Sequence, residues 1–314
     1  MKINVKEYIN TFGCRIFCMK AIRSKFYNNY SNIGVKICLL NENIIKNFLQ
    51  KNIVDEIKEI NSTDLYFINT DVPKNSIIWT MWWQGLDDAP DIVKACISNL
   101  KKKNPSRKVI VITKKNYQQY VHLSSQIIQN LNDKKISITH FSDIYRTNLL
   151  YLYGGVWIDS TVWTTEGFDN KLFEKEFYSI NTGNYTNDPS HGRWTTFFLE
   201  VKANNRVLAF VKECFEIYCR KYDTFLDYIL FDYFINIAID NDIAIKGIFS
   251  KIPYNNKRVF ELEKVLNNSF DLKFFQEDNT YLYKLTYKKK FLEKSENGSP
   301  TFYNMIIRDV NADK

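Results

Sequence analysis

The sequence predicts an α/β fold: a Rossmann-like open mixed sheet with helical additions at its N- and C-terminal ends. Three observations carry that reading. SIIWT at residues 76–80 and RKVIVIT at residues 107–113 each hold a short apolar run of strand length. A helix-patterned stretch separates them, and more helix follows. A further apolar run, VWI, comes directly after a Gly154-Gly155 pair. Strand and helix alternating over residues 76–160 is the pattern of a sheet with crossover helices.

The elements justify themselves in order. Residues 1–70 read as helical. In NENIIKNFLQKNIVDEIKEI (41–60) the apolar residues Ile44, Ile45, Phe48, Leu49, Ile53, Ile57 and Ile60 recur at the spacing of one buried helix face. Lys2, Lys6, Arg15, Lys20, Arg23, Lys25 and Lys36 precede it among aromatic and aliphatic residues, with Glu7 the acidic exception. After Pro73 comes the strand at 76–80. A helix at 88–103 follows, acidic at its start (Asp87, Asp88, Asp91) and basic at its end (Lys101, Lys102, Lys103), as the helix dipole prefers. Then come the strand at 107–113, a helix at 117–130, a helix at 141–153 closed by Gly154-Gly155, and a strand at 156–158. Further on, 176–181, 195–200 and 281–288 read as strands. Residues 205–220, 226–239, 259–267 and the C-terminal stretch read as helices. The division expected is a helical N-terminal extension at 1–70, suited to membrane association, and one α/β domain at 71–314.

Bulk properties narrow the function classes. The 314 residues are 45% hydrophobic and 16% aromatic, enough for a large core, and only ten Gly and six Pro exclude a collagenous or low-complexity chain. Forty-three Lys+Arg against 35 Asp+Glu give +8, which excludes an acidic solvating protein and allows a polyanionic partner. Six cysteines form no CxxC pair and histidine occurs three times, so a zinc cluster is not expected and free thiols are. No apolar stretch reaches the ~18–20 residues of a membrane span, and the N-terminus lacks the apolar core of a secretory signal.

Three segments can carry chemistry. In SDIYR, Asp143 and Arg146 are three residues apart and share one helix face. They form either a surface ion pair or a carboxylate–guanidinium pair at a pocket rim, able to bind hydroxyls or phosphate. In YGGVWIDST, Gly154-Gly155 reads as a helix C-cap and turn. Asp159 then stands just past a strand's carboxyl end, where open α/β sheets bind ligands. It is either a turn residue or a hard oxygen ligand for Mg2+ or Mn2+ on a diphosphate, with Ser160 and Thr161 as neutral helpers. In IIWTMWWQG, Trp79, Trp82 and Trp83 are either core or a platform for a base or sugar, followed by Gln84 and Gly85 in a turn. His191, in DPSHGRW, is either a plain surface histidine or a contact to metal or phosphate.

Taken in order, VPKNSIIWTMWWQG with Ala89-Pro90, then FSDIYRTNLLYLYGGVWIDSTVW, resemble the DXD-motif sugar-transferring glycosyltransferases. More narrowly they resemble the capsular polysaccharide synthesis glycosyltransferases, related to the glucosylating-toxin-like transferases. The specific match covers residues 72–163. HGRWTTFFLEVKANN, FLDYILFDYF and SPTFYNMI echo it more weakly. The resemblance implies a GT-A type fold and a nucleotide-sugar donor, with a UDP-sugar expected. It implies catalytic roles for Asp143, Arg146 and Asp159, and places Trp79, Thr80, Gln84, Gly155 and Trp157 around the donor, Trp79 beside the base. It lays the DXD metal motif on Asp159-Ser160-Thr161, with Asp159 and Thr161 as ligands for Mn2+ or Mg2+. Thr161 departs from the acidic third position and leaves one certain carboxylate.

The function expected is therefore transfer of a sugar, with retention, to a growing lipid-linked capsular or other surface polysaccharide. It would take place in the cytoplasm at the inner face of a bacterial membrane, on an anionic surface and without nucleic acid. Two alternatives stand beside it: a protein-modifying transferase of the same fold, and a non-catalytic basic module for membrane or nucleic acid. The second leaves Asp143, Arg146 and Asp159 unused.

Overall fold

The computed structural model describes residues 5–57 and 69–312. Ile60 of the predicted N-terminal helix face lies outside them. Three helices open the chain: α1 (Val5–Phe12), α2 (Cys14–Phe26) and α3 (Asn32–Asn52). Residues 41–52 of the predicted periodic stretch form the second half of α3, whose start is capped by Ser31 accepting from the Gly34 N–H; Ile53 and Ile57 lie beyond its end, on either side of a 3-10 turn at Val54–Glu56. Next come β1 (Ile78–Met81), α4 (Asp91–Lys103), β2 (Val109–Ile112), α5 (Ser125–Asn132), α6 (Ile138–Tyr153) and β3 (Gly155–Ile158). The helix predicted at 141–153 thus begins three residues early, where Ser137 accepts from the His140 N–H. The predicted helix at 117–130 is shorter, with one 3-10 turn at Tyr117–Gln119 and α5 after it. The remainder is β4 (Val162–Thr164), β5 (Phe177–Ser179), β6 (Phe198–Val201), α7 (Arg206–Lys221), α8 (Leu230–Asn241), α9 (Ile243–Ser250), α10 (Glu261–Lys264), β7 (Leu282–Lys284) and α11 (Phe302–Ala312).

The main sheet is five-stranded and mixed, in the order β2-β1-β3-β6-β5. Strand β1 pairs in parallel with both β2 and β3, while β6 runs antiparallel to β3 and β5. The chain leaves β1 for β2 on one side and returns to β3 on the other. The carboxyl ends of β1 and β3 therefore flank a topological switch point, the crevice where such sheets bind ligands. A second, two-stranded sheet joins β4 to β7.

Both sheet faces are covered, which is why the strands read as unbroken apolar runs. Trp79, Met81, Ile110, Ile112, Trp157 and Leu199 face the layer of α6, α7 and α8. Ile78, Val156, Ile158 and Phe198 pack the opposite face. A third cluster joins α4, β7 and α11.

The three N-terminal helices share the first of these clusters through Tyr8, Phe12, Ile16, Ile45 and Leu49. The Tyr8 hydroxyl donates to the Leu226 carbonyl at 2.8 Å. Buried Glu42 of α3 accepts from Asn236 of α8 at 2.7 Å. Residues 5–57 are thus built into the same core as the sheet. Two of their cations are spent on it: Lys20 pairs with Asp227 at 3.0 Å, and Arg23 donates to the Asn187 carbonyl at 3.2 Å.

The Gly154-Gly155 pair explains how β3 reaches its place. Gly155 has φ +92°, and a Cβ there would stand 2.3 Å from the Ile77 carbonyl oxygen. A side chain at this position would push β3 off β1. Gly154 caps α6 by donating to the Leu150 carbonyl at 2.8 Å. Its own carbonyl accepts the Trp79 indole N–H at 2.9 Å.

Candidate functional site

A cleft of about 350 Å³ opens at the carboxyl ends of β1 and β3. Its floor is Arg146, Trp157 and Asp159, and one wall is Met81-Trp82-Trp83-Gln84 running out of β1. The facing wall is the segment from Lys284 to Lys288, and the first turn of α6 and Tyr228 complete the rim.

Arg146 is the best-anchored charge in the cleft. It sits on α6 with 6% of its side chain exposed, and Nη2 donates to Asp143 Oδ1 at 2.6 Å. Nε donates to the Ser142 carbonyl at 3.3 Å, and Nη1 to the Thr196 carbonyl. The guanidinium carbon lies 4.9 Å from the centre of the Trp157 ring. Its Nη1 is 3.6 Å from Asp159 Oδ1. The i, i+3 spacing of Asp143 and Arg146 therefore makes a buried pair rather than a surface one. The HGRWTTFFLE segment supplies the Thr196 carbonyl, and its Phe197 carbonyl accepts the Asp159 N–H at 2.9 Å.

Asp159 leaves β3 with both carboxylate oxygens engaged. The Trp157 indole N–H donates to Oδ1 at 3.0 Å, and the Lys284 ammonium to Oδ2 at 2.6 Å. Burial raises its pKa, but Lys284, Arg146 and the Trp157 hydrogen bond outweigh that, and the carboxyl is held below its usual range. Asp143 goes the other way. Burial raises it to about 6; Arg146 opposes the rise and Asp159 adds to it. Behind this pair lies Asp232 of α8, whose carboxylate accepts the Trp194 indole N–H at 2.7 Å. Burial pushes the Asp232 pKa well up, with Asp188 adding to the rise.

Of the sequence-predicted residues, the structure brings Arg146, Asp159, Trp157, Gln84 and Thr161 to the cleft. Asp143 stands behind Arg146 as its partner. Trp79, Thr80 and Gly155 are not at the cleft. Trp79 is 0% exposed and packs against Tyr120 and Tyr153 with ring centres 5.4 and 5.6 Å away. Its ring is enclosed, because β1 turns that side chain toward α6. Thr80 is 0% exposed on the opposite sheet face, and Gly155 is a packing residue. Of the three tryptophans in IIWTMWWQG, Trp82 and Trp83 reach the cleft, just beyond the strand. Trp82 meets Tyr287 edge-on at 5.1 Å. His191 is taken up by the fold: its Nε2 is 2.8 Å from Glu42 Oε2 and its ring stacks on Tyr185.

Lys284 is the residue that sequence reasoning missed. The strand at 281–288 was legible, but its partner was not. Strand β7 pairs with β4 so that Lys284 stands opposite Val162. The Leu285 N–H donates to the Thr161 carbonyl at 2.9 Å. That register delivers the ammonium to Asp159 across 125 residues of chain.

The expected Mn2+ or Mg2+ can be tested against this donor set. Such ions want near-octahedral oxygen ligands at ~2.0–2.1 Å, with carboxylates the usual protein contribution. Among the described residues Asp159 is the single carboxylate lining the cleft, and both its oxygens already accept from cations or an indole. Thr161 adds a neutral oxygen at most. Among the described residues no group of three or more His, Cys, Asp or Glu could hold a metal ion. A dication at Asp159 would also sit beside Lys284 and Arg146, and each unit-charge pair at 4 Å costs about 4 kcal/mol at an effective dielectric constant of 20. The residues present do not fit a divalent cation at Asp159-Thr161.

A search of curated proteins returns no match. Among solved structures the chain is similar to one named "PaToxG Glycosyltransferase", at 14% sequence identity and a TM-score of 0.35, covering 66% of this chain and 83% of that one. The profile of the capsular polysaccharide synthesis protein family matches residues 25–306, a span that includes the cleft, its Asp143–Arg146 pair, Asp159 and Lys284. The chain belongs to the capsular polysaccharide synthesis protein family.

Proposed function

We propose that the protein is a glycosyltransferase that moves a sugar from a nucleotide-sugar donor to a growing surface polysaccharide. The observation that carries this reading is the make-up of the cleft. Arg146, Lys284 and Lys288 line it against one carboxylate, Asp159, and Trp82 and Trp83 form the adjoining wall. Cations beside aromatic rings suit a nucleoside diphosphate, with the phosphates at the charges and the base against a ring. Membership of a polysaccharide-synthesis family supports a sugar as the group transferred.

In the reaction proposed, the bond between the sugar's C1 and the β-phosphate oxygen breaks, and its electron pair leaves with the nucleoside diphosphate. An acceptor hydroxyl forms the new C1–O bond, and its proton departs on the leaving phosphate. Arg146 offsets the charge developing on that phosphate, and its four anchors hold it in place beforehand, so little reorganisation is left for the transition state. Asp143 holds Arg146 from behind, and Asp159 holds it from within the cleft. Retention at C1, a GT-A type arrangement and a UDP-sugar follow from the sequence resemblance. Turnover of a panel of UDP- and GDP-sugars, read as release of nucleoside diphosphate, tests the reading. Accelerated cleavage of at least one donor is expected, and none with any donor would refute it.

The pH profile gives a sharper readout. As pH falls through about 6, Asp143 takes up a proton and ceases to balance Arg146. Donor kcat/KM is expected to fall with it, and Asp143→Asn is expected to be slow and to lack that step. The sign for stability is opposite. Burial lifts the folded pKa above that of an ordinary carboxylate, so this group's contribution to stability is full below the ordinary value and is lost as pH rises through about 6. Activity rising while this part of the stability falls identifies Asp143. A wild-type profile flat between pH 5 and 7 would remove it from the reaction.

The acceptor proposed is lipid-linked, at the inner face of the membrane. Among the described residues no helix is long and apolar enough to cross a membrane. Helices α2 and α3 do expose Ile22, Ile33 and Leu40 near exposed Lys25 and Lys36, a mixture suited to an anionic surface at about 1 kcal/mol per cation. Lys25→Glu with Lys36→Glu is expected to weaken flotation with anionic vesicles roughly tenfold or more. Unchanged flotation would remove the membrane from the account.

A further inference from the structure

Lys284 occupies the position at Asp159 that the sequence resemblance reserves for a divalent cation. Its ammonium is 2.6 Å from Asp159 Oδ2, and its side chain keeps 23% of its surface open to the cleft. Two features fix it there. Strand pairing with β4 sets its register, and the Phe197 ring lies 5.1 Å from the ammonium. An ammonium has three donors, so Asp159 leaves others to face the cleft. Arg146 stands on the other oxygen of the same carboxylate, 3.6 Å away. Asp159 thus sits between two cations, and its pKa is held low by both. In that position the carboxylate orients the two charges and partly offsets their mutual repulsion.

We propose that Lys284, held by Asp159 and working with Arg146, binds the diphosphate of the donor and receives its charge on departure, so that donor binding and transfer proceed without a divalent metal. The proposal rests on the donor reading above and specifies which groups carry its phosphate side. Lys284 touches the leaving group and is a catalytic residue. Asp159, in this arrangement, acts through Lys284 and Arg146 and is a positioning residue. Bond-breaking is as described for the transfer: the C1–O electron pair stays on the β-phosphate, now neutralised by the ammonium and the guanidinium.

The test is binding of UDP, GDP and inorganic pyrophosphate by the whole chain, followed by calorimetry, with turnover of the UDP- and GDP-sugar panel read alongside. Each is run once in excess EDTA and once in millimolar Mn2+. The wild type is expected to bind a nucleoside diphosphate in EDTA, with Mn2+ changing Kd by less than about threefold. Lys284→Ala is expected to weaken that binding roughly tenfold or more and to lower kcat further, because a charge-assisted hydrogen bond to phosphate is lost. Lys284→Arg is expected to keep most of the affinity. The side chain is partly exposed, so Lys284→Ala should fold, and a thermal melt run alongside confirms that the loss is not unfolding. Binding that appears only with Mn2+, or Lys284→Ala binding as tightly as wild type in EDTA, overturns the assignment while leaving the donor site standing. Absence of binding by every probe in both conditions overturns the donor reading itself, and the Lys284 assignment with it.

Discussion

Arg146→Ala is expected to lower donor kcat/KM by roughly 10²–10³-fold, the loss typical of removing one preorganised charge from a transition state. The size follows from how the side chain is held. Asp143, the Ser142 and Thr196 carbonyls and the Trp157 ring all fix the guanidinium before any donor arrives. The same burial makes the substitution costly to the fold, since breaking a buried pair leaves Asp143 without its partner, at about 3–5 kcal/mol for a carboxylate that stays charged. Protonation of Asp143, whose pKa is already near 6, reduces that cost. Arg146→Lys separates the two effects. It keeps a cation beside Asp143 and loses the planar fork, so stability is expected to recover more than activity. If both recover in step, or if Arg146→Ala melts lower but turns over normally once folded, Arg146 is a structural ion pair and the site is elsewhere.

Trp79→Ala is expected to destabilise the protein by about 3–5 kcal/mol, the usual cost of deleting a large aromatic from a core, and to leave donor KM unchanged in the protein that remains folded. Trp79 is 0% exposed, packs edge-on to Tyr120, and donates its indole N–H to the Gly154 carbonyl at 2.9 Å. It thereby ties β1 to the glycine turn that admits β3. Trp83→Ala is the companion measurement, because that ring does reach the cleft. Donor KM is expected to rise there with a smaller loss of stability. A raised KM in Trp79→Ala without a lower melting temperature would return Trp79 to the donor site.

The fold was legible where a local pattern was enough. Strand, helix and Gly-Gly punctuation placed β1, α4, β2, α6 and β3 within a few residues, because unbroken apolar runs and helix periodicity are properties of contiguous sequence. The short strand β4 and helix α9 were not read. Three residues give no usable period, and Ile243–Ser250 follows α8 after one residue, with Asp242 as the only marker of a new start. The covering of both sheet faces was implicit in the strands, whereas the docking of α1–α3 on α8 was not. It depends on single pairs such as Glu42 with Asn236.

The candidate site divides along the same line. Asp143, Arg146 and Asp159 announce themselves by type, spacing and position at the end of a strand. The reach of each tryptophan does not, because period-2 alternation decides which face a ring takes. Trp79 and Trp82 look equivalent in the sequence until the strand is placed. Lys284 was out of reach for a different reason. It looked like one of many lysines in a lysine-rich stretch, and only the β4–β7 register reveals that it faces Asp159. The +8 likewise looked like a uniform surface property. The structure divides it: Lys20 and Arg23 serve the core, Arg146 and Lys284 the cleft, and Lys25 and Lys36 remain on the surface.

In this reading the cleft between β1 and β3 holds the donor by its diphosphate. A crystal structure of the protein with a bound nucleotide sugar, grown in EDTA, tests it most directly. Phosphate oxygens are expected within hydrogen-bonding distance of Lys284 Nζ and Arg146, with the base against Trp82 or Trp83. A nucleotide seated away from this cleft, or phosphates that order only when a metal bridges them to Asp159, would contradict it.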